Sequence, residues 1–340
     1  MTVVYLHENL PIRTALGELK RRVGILSGFQ EFKKTVRTVP VDRAKHWRPE
    51  LFKFLFAAHL TLPAENNQLF YIEGLPLALA IIPRLRRRAP KAHIHVDVCD
   101  SWIELSRISK YKSGFRYECI VGLKRMAASI ALKRVSRTAD TIGYISDVDY
   151  ANDSCSIDAS ACVVIIPNSV EVSLYGPRSV ALKEDGPLCV IGDWSYMPNV
   201  EMLEETIAWL SQGNVIENVR VRVIGPGLPP SAFRHKGIEY TGWVEDLRSA
   251  LDGCLAVVSM VRSGAGVKNK IMDPLSIGIP VVTFKQSLNG IPESEGIIIA
   301  DGMRADEVVQ RVRDLLKLGF IPPAFPTWKQ CLKPLIDRLA

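Results

Sequence analysis

Seven cysteines among 340 residues form no recognisable set. Their number is odd, no two stand as Cys-x-x-Cys, and they form no cluster interleaved with histidine. This excludes a disulfide framework and a structural zinc cluster. Several sit in apolar runs, so buried, reduced thiols of a cytosolic protein are expected. Long hydrophobic stretches are missing too. The most apolar, Leu51 to Leu62, is interrupted by Lys53 and His59 and is too short to cross a bilayer. Met1-Thr-Val-Val-Tyr-Leu6 runs at once into His7-Glu8, which reads as a first strand rather than a secretion signal. There is no repeat at solenoid spacing. Nucleic acid is excluded as a partner, because no binding motif accompanies the basic residues and no aromatics are interleaved with them. Asp147-Val-Asp149 has the spacing of a metal-binding pair but stands late in the first half of the chain, and no metal is expected.

What is present is the length and composition of two ordinary globular domains, with 47% hydrophobic and 23% charged residues. Short β-branched runs read as buried parallel strands at Val3–Leu6, Leu69–Ile72, Ile94–Val98, Thr141–Ile145 and Val163–Ile166. Helical patterns separate them at 11–22, 49–60, 76–88 and 117–137, and Asp147 is placed to cap another. The plan then repeats. Strands are expected at 188–192, 221–225, 255–260, 281–284 and 297–299, and helices at 199–210, 244–251, 270–277 and 305–316. A last helix at 327–339 follows Pro322-Pro323 and Pro326. Two rounds of strand–helix alternation predict an α/β chain with two doubly wound domains, 1–172 and 173–320, and a terminal segment 321–340.

Charge is unevenly divided. Residues 1–172 hold 25 Lys+Arg against 17 Asp+Glu, and the remainder 18 against 19. The basic residues cluster at Lys20-Arg21-Arg22, Lys33-Lys34, Arg84 to Lys91, Lys124-Arg125 and Lys133 to Arg137. Solvated helix faces compete here with an anionic membrane surface.

The densest signal is Arg262-Ser-Gly264-Ala-Gly266-Val-Lys268-Asn-Lys270-Ile-Met-Asp273, between the apolar runs Leu255–Met260 and Gly278–Val282. A strand, a glycine loop, a helix amino end and cations are the parts of a phosphate site. Glycine lets backbone N–H groups approach an anion, and the helix dipole favours negative charge there. Asp273, one turn into the helix, suits ribose hydroxyls.

Asp273-Pro-Leu-Ser-Ile-Gly-Ile-Pro-Val-Val282 resembles the Glu-Ala-Met-Ala-x-Gly-x-Pro-Val-Val block of group 1 glycosyltransferases with the GT-B fold. Val190-Ile-Gly-Asp-Trp-Ser-Tyr-Met-Pro-Asn199, Val221 to Gly227, Tyr240 to Leu247 and Ile165 to Glu171 resemble further blocks of that family, in its order; the first 160 residues match loosely. The resemblance implies two Rossmann-like domains facing a cleft, with the last helix crossing back to the first. It implies a retaining, metal-independent hexosyltransferase whose donor is a nucleotide-diphosphate sugar and which needs no cofactor. Donor contacts are then expected from Arg262, Gly264, Gly266, Lys268, Lys270, Asp273, Gly192 and Asn199. The sequence departs from the family at Ala265, where a hexose-binding glutamate is usual, and at Gly192-Asp-Trp, where some members carry a basic pair.

Acceptor groups are expected after the first and third strands of the first half, from His7, Glu8 and Asp100, with Asp100 either polarising a hydroxyl or capping a helix. The acceptor would be a glycan or a lipid-linked sugar of bacterial surface polysaccharide. The location would be cytoplasmic, peripheral on the inner face of the plasma membrane. Rival readings are a non-catalytic GT-B nucleotide- or glycan-binding module, a nucleotide-sugar isomerase on the same fold, and a nicotinamide oxidoreductase. The last fails because Asn269 replaces the third fingerprint glycine and no acidic residue ends the following strand.

Overall fold

The computed structural model describes residues 2–8, 16–41, 68–106, 115–170, 180–212, 215–227, 237–262 and 265–339. They form two compact units, Met1–Ser169 with Pro326–Ala340, and Val170–Phe325.

The first unit contains β1 (Thr2–Glu8), α1 (Leu16–Glu31), β2 (Thr35–Val41), β3 (Gln68–Glu73), α2 (Leu75–Arg88), β4 (His93–Cys99), α3 (Trp102–Leu105), α4 (Phe115–Ser136), β5 (Thr141–Tyr144), α5 (Asp147–Asp153) and β6 (Cys162–Ile165). Its six strands are parallel in the order β2-β1-β3-β4-β5-β6. Successive side chains point to opposite faces. Val4, Leu6, Phe70, Ile72, Ile94 and Val96 pack against α2 and α4. Val3, Tyr5, Leu69, Tyr71 and Val164 pack against α1 and the terminal helix.

The second unit contains β7 (Leu188–Ile191), α6 (Met197–Ser211), α7 (Val215–Asn218), β8 (Val221–Ile224), β9 (Ile238–Gly242), α8 (Leu247–Leu251), β10 (Ala256–Ser259), α9 (Asn269–Ser276), β11 (Val281–Thr283), β12 (Ile297–Ile299) and α10 (Ala305–Leu318). Its six parallel strands run β12-β11-β10-β7-β8-β9. One face carries α6, α7 and α10. The other carries α8 and α9.

The terminal helix α11 (Trp328–Asp337) belongs to the first unit. Thr327 and Gln330 form a reciprocal cap, Gln330 N donating to Thr327 Oγ1 at 3.2 Å and Thr327 N to Gln330 Oε1 at 2.8 Å. The helix sits close on α1 because α1 offers glycines there. A Cβ at Gly24 would lie 1.9 Å from the Trp328 ring, and one at Gly28 would lie 2.7 Å from Leu332.

Two strands escape the sequence reading, β2 and β9, both at sheet edges. In β2 only Val41 is buried, so the strand lacks the apolar run of its neighbours. The first helix runs nine residues past the expected Arg22, to Glu31. The expected helix at 49–60 lies outside the described residues. Asp147 does not cap α5; Ser146 does, accepting from Asp149 N at 3.1 Å. Cys189, Cys254 and Cys331 are buried as expected of apolar thiols, whereas Cys119 and Cys155 are exposed.

Candidate functional site

In a doubly wound sheet the crevice opens where the strand order reverses, because the helices after two adjacent strands leave to opposite faces. In the second unit this happens between β7 and β10. The chain leaves β7 into α6 on one face and leaves β10 into α9 on the other. The two helix amino ends therefore open beside one another at the carboxyl edge of the sheet.

The predicted donor residues gather there. Gly192 follows β7 directly, and a Cβ on it would lie 3.0 Å from the Trp194 ring and 3.1 Å from Asn199 Cβ. The next strand end presses on it: Gly225, at φ +130°, would place a Cβ 1.8 Å from Gly192 O, so only glycine fits. Asn199, in the first turn of α6, donates from Nδ2 to Asp193 O at 2.9 Å and accepts from Lys270 Nζ through Oδ1. Lys270 thus ties the start of α9 to the start of α6, with Met202 Sδ at 3.9 Å. No carboxylate pairs with Lys270 among the described residues. Burial of its ammonium and the like charge of Lys268 pull its pKa to about 7.

Lys268 immediately precedes α9 and folds its Nζ back onto Ala265 O at 2.7 Å and Gly266 O at 3.2 Å. Gly266 adopts φ +77°, the left-handed turn that starts the helix. Asp273 is buried, one turn further along α9. Arg262 is not bonded to this group. Its Nε donates to Glu205 Oε1 of α6 at 2.8 Å, and its guanidinium lies 3.9 Å from the Phe284 ring centre. Gly264 lies outside the described residues.

The first unit reverses between β1 and β3. His7 and Glu8 close β1 there, and His7 Nδ1 lies 2.9 Å from Glu8 O. Burial first, and then the Arg22 charge, lower the His7 pKa, against the opposing pull of Glu73. Glu73, at the end of β3, accepts two bonds from Arg22 of α1 at 3.0 Å and one from Tyr5 OH at 2.9 Å. A second buried pair lies deeper: Arg21 donates to both oxygens of Asp97 at 2.9 and 3.0 Å, and Tyr71 OH donates to Asp97 at 2.7 Å. Arg21 also donates to Asn168 Oδ1 at 2.8 Å. Burial pushes the Asp97 carboxyl up, but Arg21 and Tyr71 more than offset that and hold it below the usual carboxylate range.

Asp97 lies in β4, within the strand expected at Ile94–Val98. The strand ends at Cys99, which adopts φ +68° and offsets the pairing with β5. Asp100 follows, accepting from the Cys99 thiol at 3.6 Å. Asp100 is not a helix cap; Ser101 caps α3, accepting from Glu104 N at 3.1 Å.

Residues 187–318 match the family model for Glycosyl transferases group 1. The match lies within the second unit, Val170–Phe325, and does not reach the first. No curated protein sequence matches the chain. Sucrose-phosphate synthase from Thermosynechococcus elongatus superposes with a TM-score of 0.65 at 13% identity, over 100% of this chain and 94% of that one. Anabaena HepE, in a complex with UDP and glucose, gives 0.59 at 11% identity over 99% of each chain. The UDP-GlcNAc 2-epimerase of Methanocaldococcus jannaschii gives 0.54 at 10% identity, again over 99% of each. The chain has the GT-B fold.

Sequence reasoning missed Glu205, which holds Arg262, and the pairing of Arg22 with Glu73 and of Arg21 with Asp97 in the first unit. In sequence Arg21 and Arg22 belong to a basic cluster, and Glu73 carries no signal. Only their placement on facing elements reveals the pairs, and nothing in their spacing could have.

Proposed function

We propose that the protein transfers a hexose from a nucleotide-diphosphate sugar to a hydroxyl of a glycan or lipid-linked acceptor, with retention of anomeric configuration. The observation that carries this is the Lys270–Asn199 bond at the switch point, which brings to one place two helix amino ends and an ammonium with no carboxylate partner among the described residues. Such a place favours a dianionic diphosphate.

The roles follow from the chemistry. As the bond from anomeric carbon to phosphate oxygen breaks, negative charge grows on the diphosphate, and Lys270, Lys268 and the N–H groups around Gly266 offset it. The acceptor oxygen forms the new bond on the face the diphosphate leaves, and its proton passes to the departing phosphate oxygen. Asp273 accepts the ribose hydroxyls. Arg262 reaches the donor by releasing Glu205, or else holds the loop in place. On the first unit, His7, Glu8 and Asp100 stand at strand carboxyl ends and meet the acceptor. Bacterial surface polysaccharide or glycolipid synthesis, in the cytoplasm at the inner face of the plasma membrane, is the setting this reading favours.

Ala265 supplies no carboxylate to a donor hexose, which is the best support for a non-catalytic nucleotide-binding module. The epimerase likeness concerns the fold alone. One experiment separates the three. A thermal-shift screen against nucleoside diphosphates and their sugars, uridine first, identifies the donor, and incubation with that donor is then followed by product analysis. Transfer to added glycan supports the proposal, an epimerised donor supports an isomerase, and binding without turnover supports a module. Lys268→Ala is expected to weaken diphosphate binding by about 1.5–3 kcal/mol and nucleoside binding hardly at all. Equal losses would remove Lys268 from the phosphate site.

A further inference from the structure

Helix α4 is apolar on two sides. One side, with Val121, Ala128, Ala131, Leu132 and Val135, is buried against the sheet and α2. The other points into solvent and carries Ile120 (52% exposed), Leu123 (61%), Met126 (56%) and Ile130 (63%). Steps of three, three and four residues put these on one stripe, which at 1.5 Å per residue is about 15 Å long. A helix on the surface of a soluble domain should be polar on that side. Four large aliphatic side chains held in water are a cost unless something covers them.

Charge decides what covers them. The helix carries five basic residues and one acidic one. Arg134 continues the stripe four residues beyond Ile130 and is exposed. Arg86 at the end of α2 donates to Thr138 O at 2.9 Å, which brings the basic end of α2, Arg86-Arg87-Arg88, beside the basic end of α4. Two copies of α4 facing each other would set ten basic residues against two acidic ones. An anionic lipid surface matches both the aliphatic stripe and its cationic border. The clusters that suggest a membrane in the sequence are less suitable: Arg21 and Arg22 are buried in ion pairs, and Arg86 is held by Thr138 O, Ala92 O and Asp140.

We propose that the exposed face of α4 docks the first unit on an anionic bilayer, with Ile120, Leu123, Met126 and Ile130 entering the headgroup–acyl boundary and Lys124 and Arg134 meeting acidic headgroups. The amino end of α4 follows the Asp100 loop and α3 in the chain, and α3 packs against α4. The choice of a lipid-linked acceptor rests on the glycosyltransferase reading, but the docking itself does not.

The test is co-sedimentation of the full chain with vesicles of phosphatidylcholine, with and without phosphatidylglycerol, at low and high salt. Wild type is expected to pellet with the acidic vesicles at low salt and to be partly released by high salt. Leu123→Ser/Ile130→Ser, at exposed positions that leave the core intact, should lower the partition coefficient about tenfold or more. Leu318→Ser/Ile321→Ser, on the other unit, should change nothing. Lys124→Glu/Arg134→Glu should abolish the preference for acidic over neutral vesicles. Docking is overturned if wild type ignores acidic vesicles, or if the α4 variant partitions like wild type. It is also overturned if sedimentation velocity finds a dimer that the α4 variant dissolves, since α4 would then cover itself. Donor-induced thermal shifts on the same variants keep the two readings apart. Lost docking with an intact donor shift supports α4 as the surface, and lost donor shift in wild type would sink the transferase reading alone.

Discussion

The two units share one plan and use charge in opposite ways at the same topological place. At the β1/β3 reversal the cations are neutralised from within: Arg22 meets Glu73, and Arg21 meets Asp97. At the β7/β10 reversal Lys270 meets an amide oxygen and a thioether. A buried cation with a carboxylate partner is scaffold, because its charge is already compensated. A partly buried cation facing dipoles at two helix amino ends still has charge to offer. The contrast supports the proposed anion site at the β7/β10 reversal, and it gives the first unit's reversal, where β1 ends in His7 and Glu8, compensated ion pairs instead.

The sharpest way to break this comparison is to unpair the scaffold. Asp97→Asn leaves Arg21 buried and uncompensated, a change expected to cost about 3–5 kcal/mol. Thermal and urea unfolding should report the loss, and Arg21→Met/Asp97→Asn should recover part of it because neither charge remains. The folded Asp97 pKa is lowered, so its stabilisation is present above the ordinary aspartate range and lost as pH falls through the folded value. Wild type should therefore lose stability on acidification by more than the double variant does. A small effect of Asp97→Asn would mean that the pair is not scaffold.

Next in size is the response of Lys270 to pH. With a pKa of about 7 it is half charged at neutrality. A bound diphosphate raises that pKa, so binding is favoured below pH 7 and weakens as pH rises. Between pH 6 and 8 the charged fraction falls about tenfold, and donor affinity should fall by a similar factor. A nucleotide-diphosphate sugar is the right probe, because its phosphates do not titrate in that window. Calorimetry should find the slope in wild type and not in Lys270→Met, which should bind weakly at every pH. The free protein has the reverse dependence. The unfolded lysine holds its proton to a higher pH than the folded one, so this residue adds stability as pH rises from about 7 toward the ordinary lysine value. A flat affinity profile in wild type would remove Lys270 from the phosphate site.

How much of this was legible depended on where the information lies in the chain. The central strands could be read because burial on both faces makes them continuous apolar runs; β10, fully buried at Ala256–Ser259, lies within the strand expected at 255–260. The edge strands β2 and β9 are half solvated and carry no such signal. The proposed donor loop was legible because glycines, lysines and helix start are contiguous between Arg262 and Asp273. Lys270 meeting Asn199 was not, since it joins residues 71 apart. The same limit hid the scaffold pairs, with Arg21 and Asp97 lying 76 residues apart. It also made Arg21 and Arg22 look like surface charge. The apolar stripe of α4 was invisible for another reason: in sequence, a helix with two apolar faces looks merely hydrophobic.

The smallest expected effect is at Asp273, and it refines the contrast rather than testing it. Asp273 is buried on α9, and the role proposed for it is to recognise sugar hydroxyls rather than to balance charge. Asp273→Asn keeps the volume and one acceptor oxygen, so the fold should hold and the diphosphate contribution should persist. What is lost is the second charge-assisted bond to the ribose, on the order of 1 kcal/mol or a fewfold in affinity. The comparison that isolates it is between a ribonucleoside diphosphate and its 2′,3′-dideoxy analogue. Wild type should prefer the ribonucleotide, and Asp273→Asn should lose most of that preference while binding the dideoxy analogue as wild type does. If both ligands weaken together, Asp273 supports α9 rather than the ribose, and the anion site described at the β7/β10 reversal stands without a ribose anchor at that position.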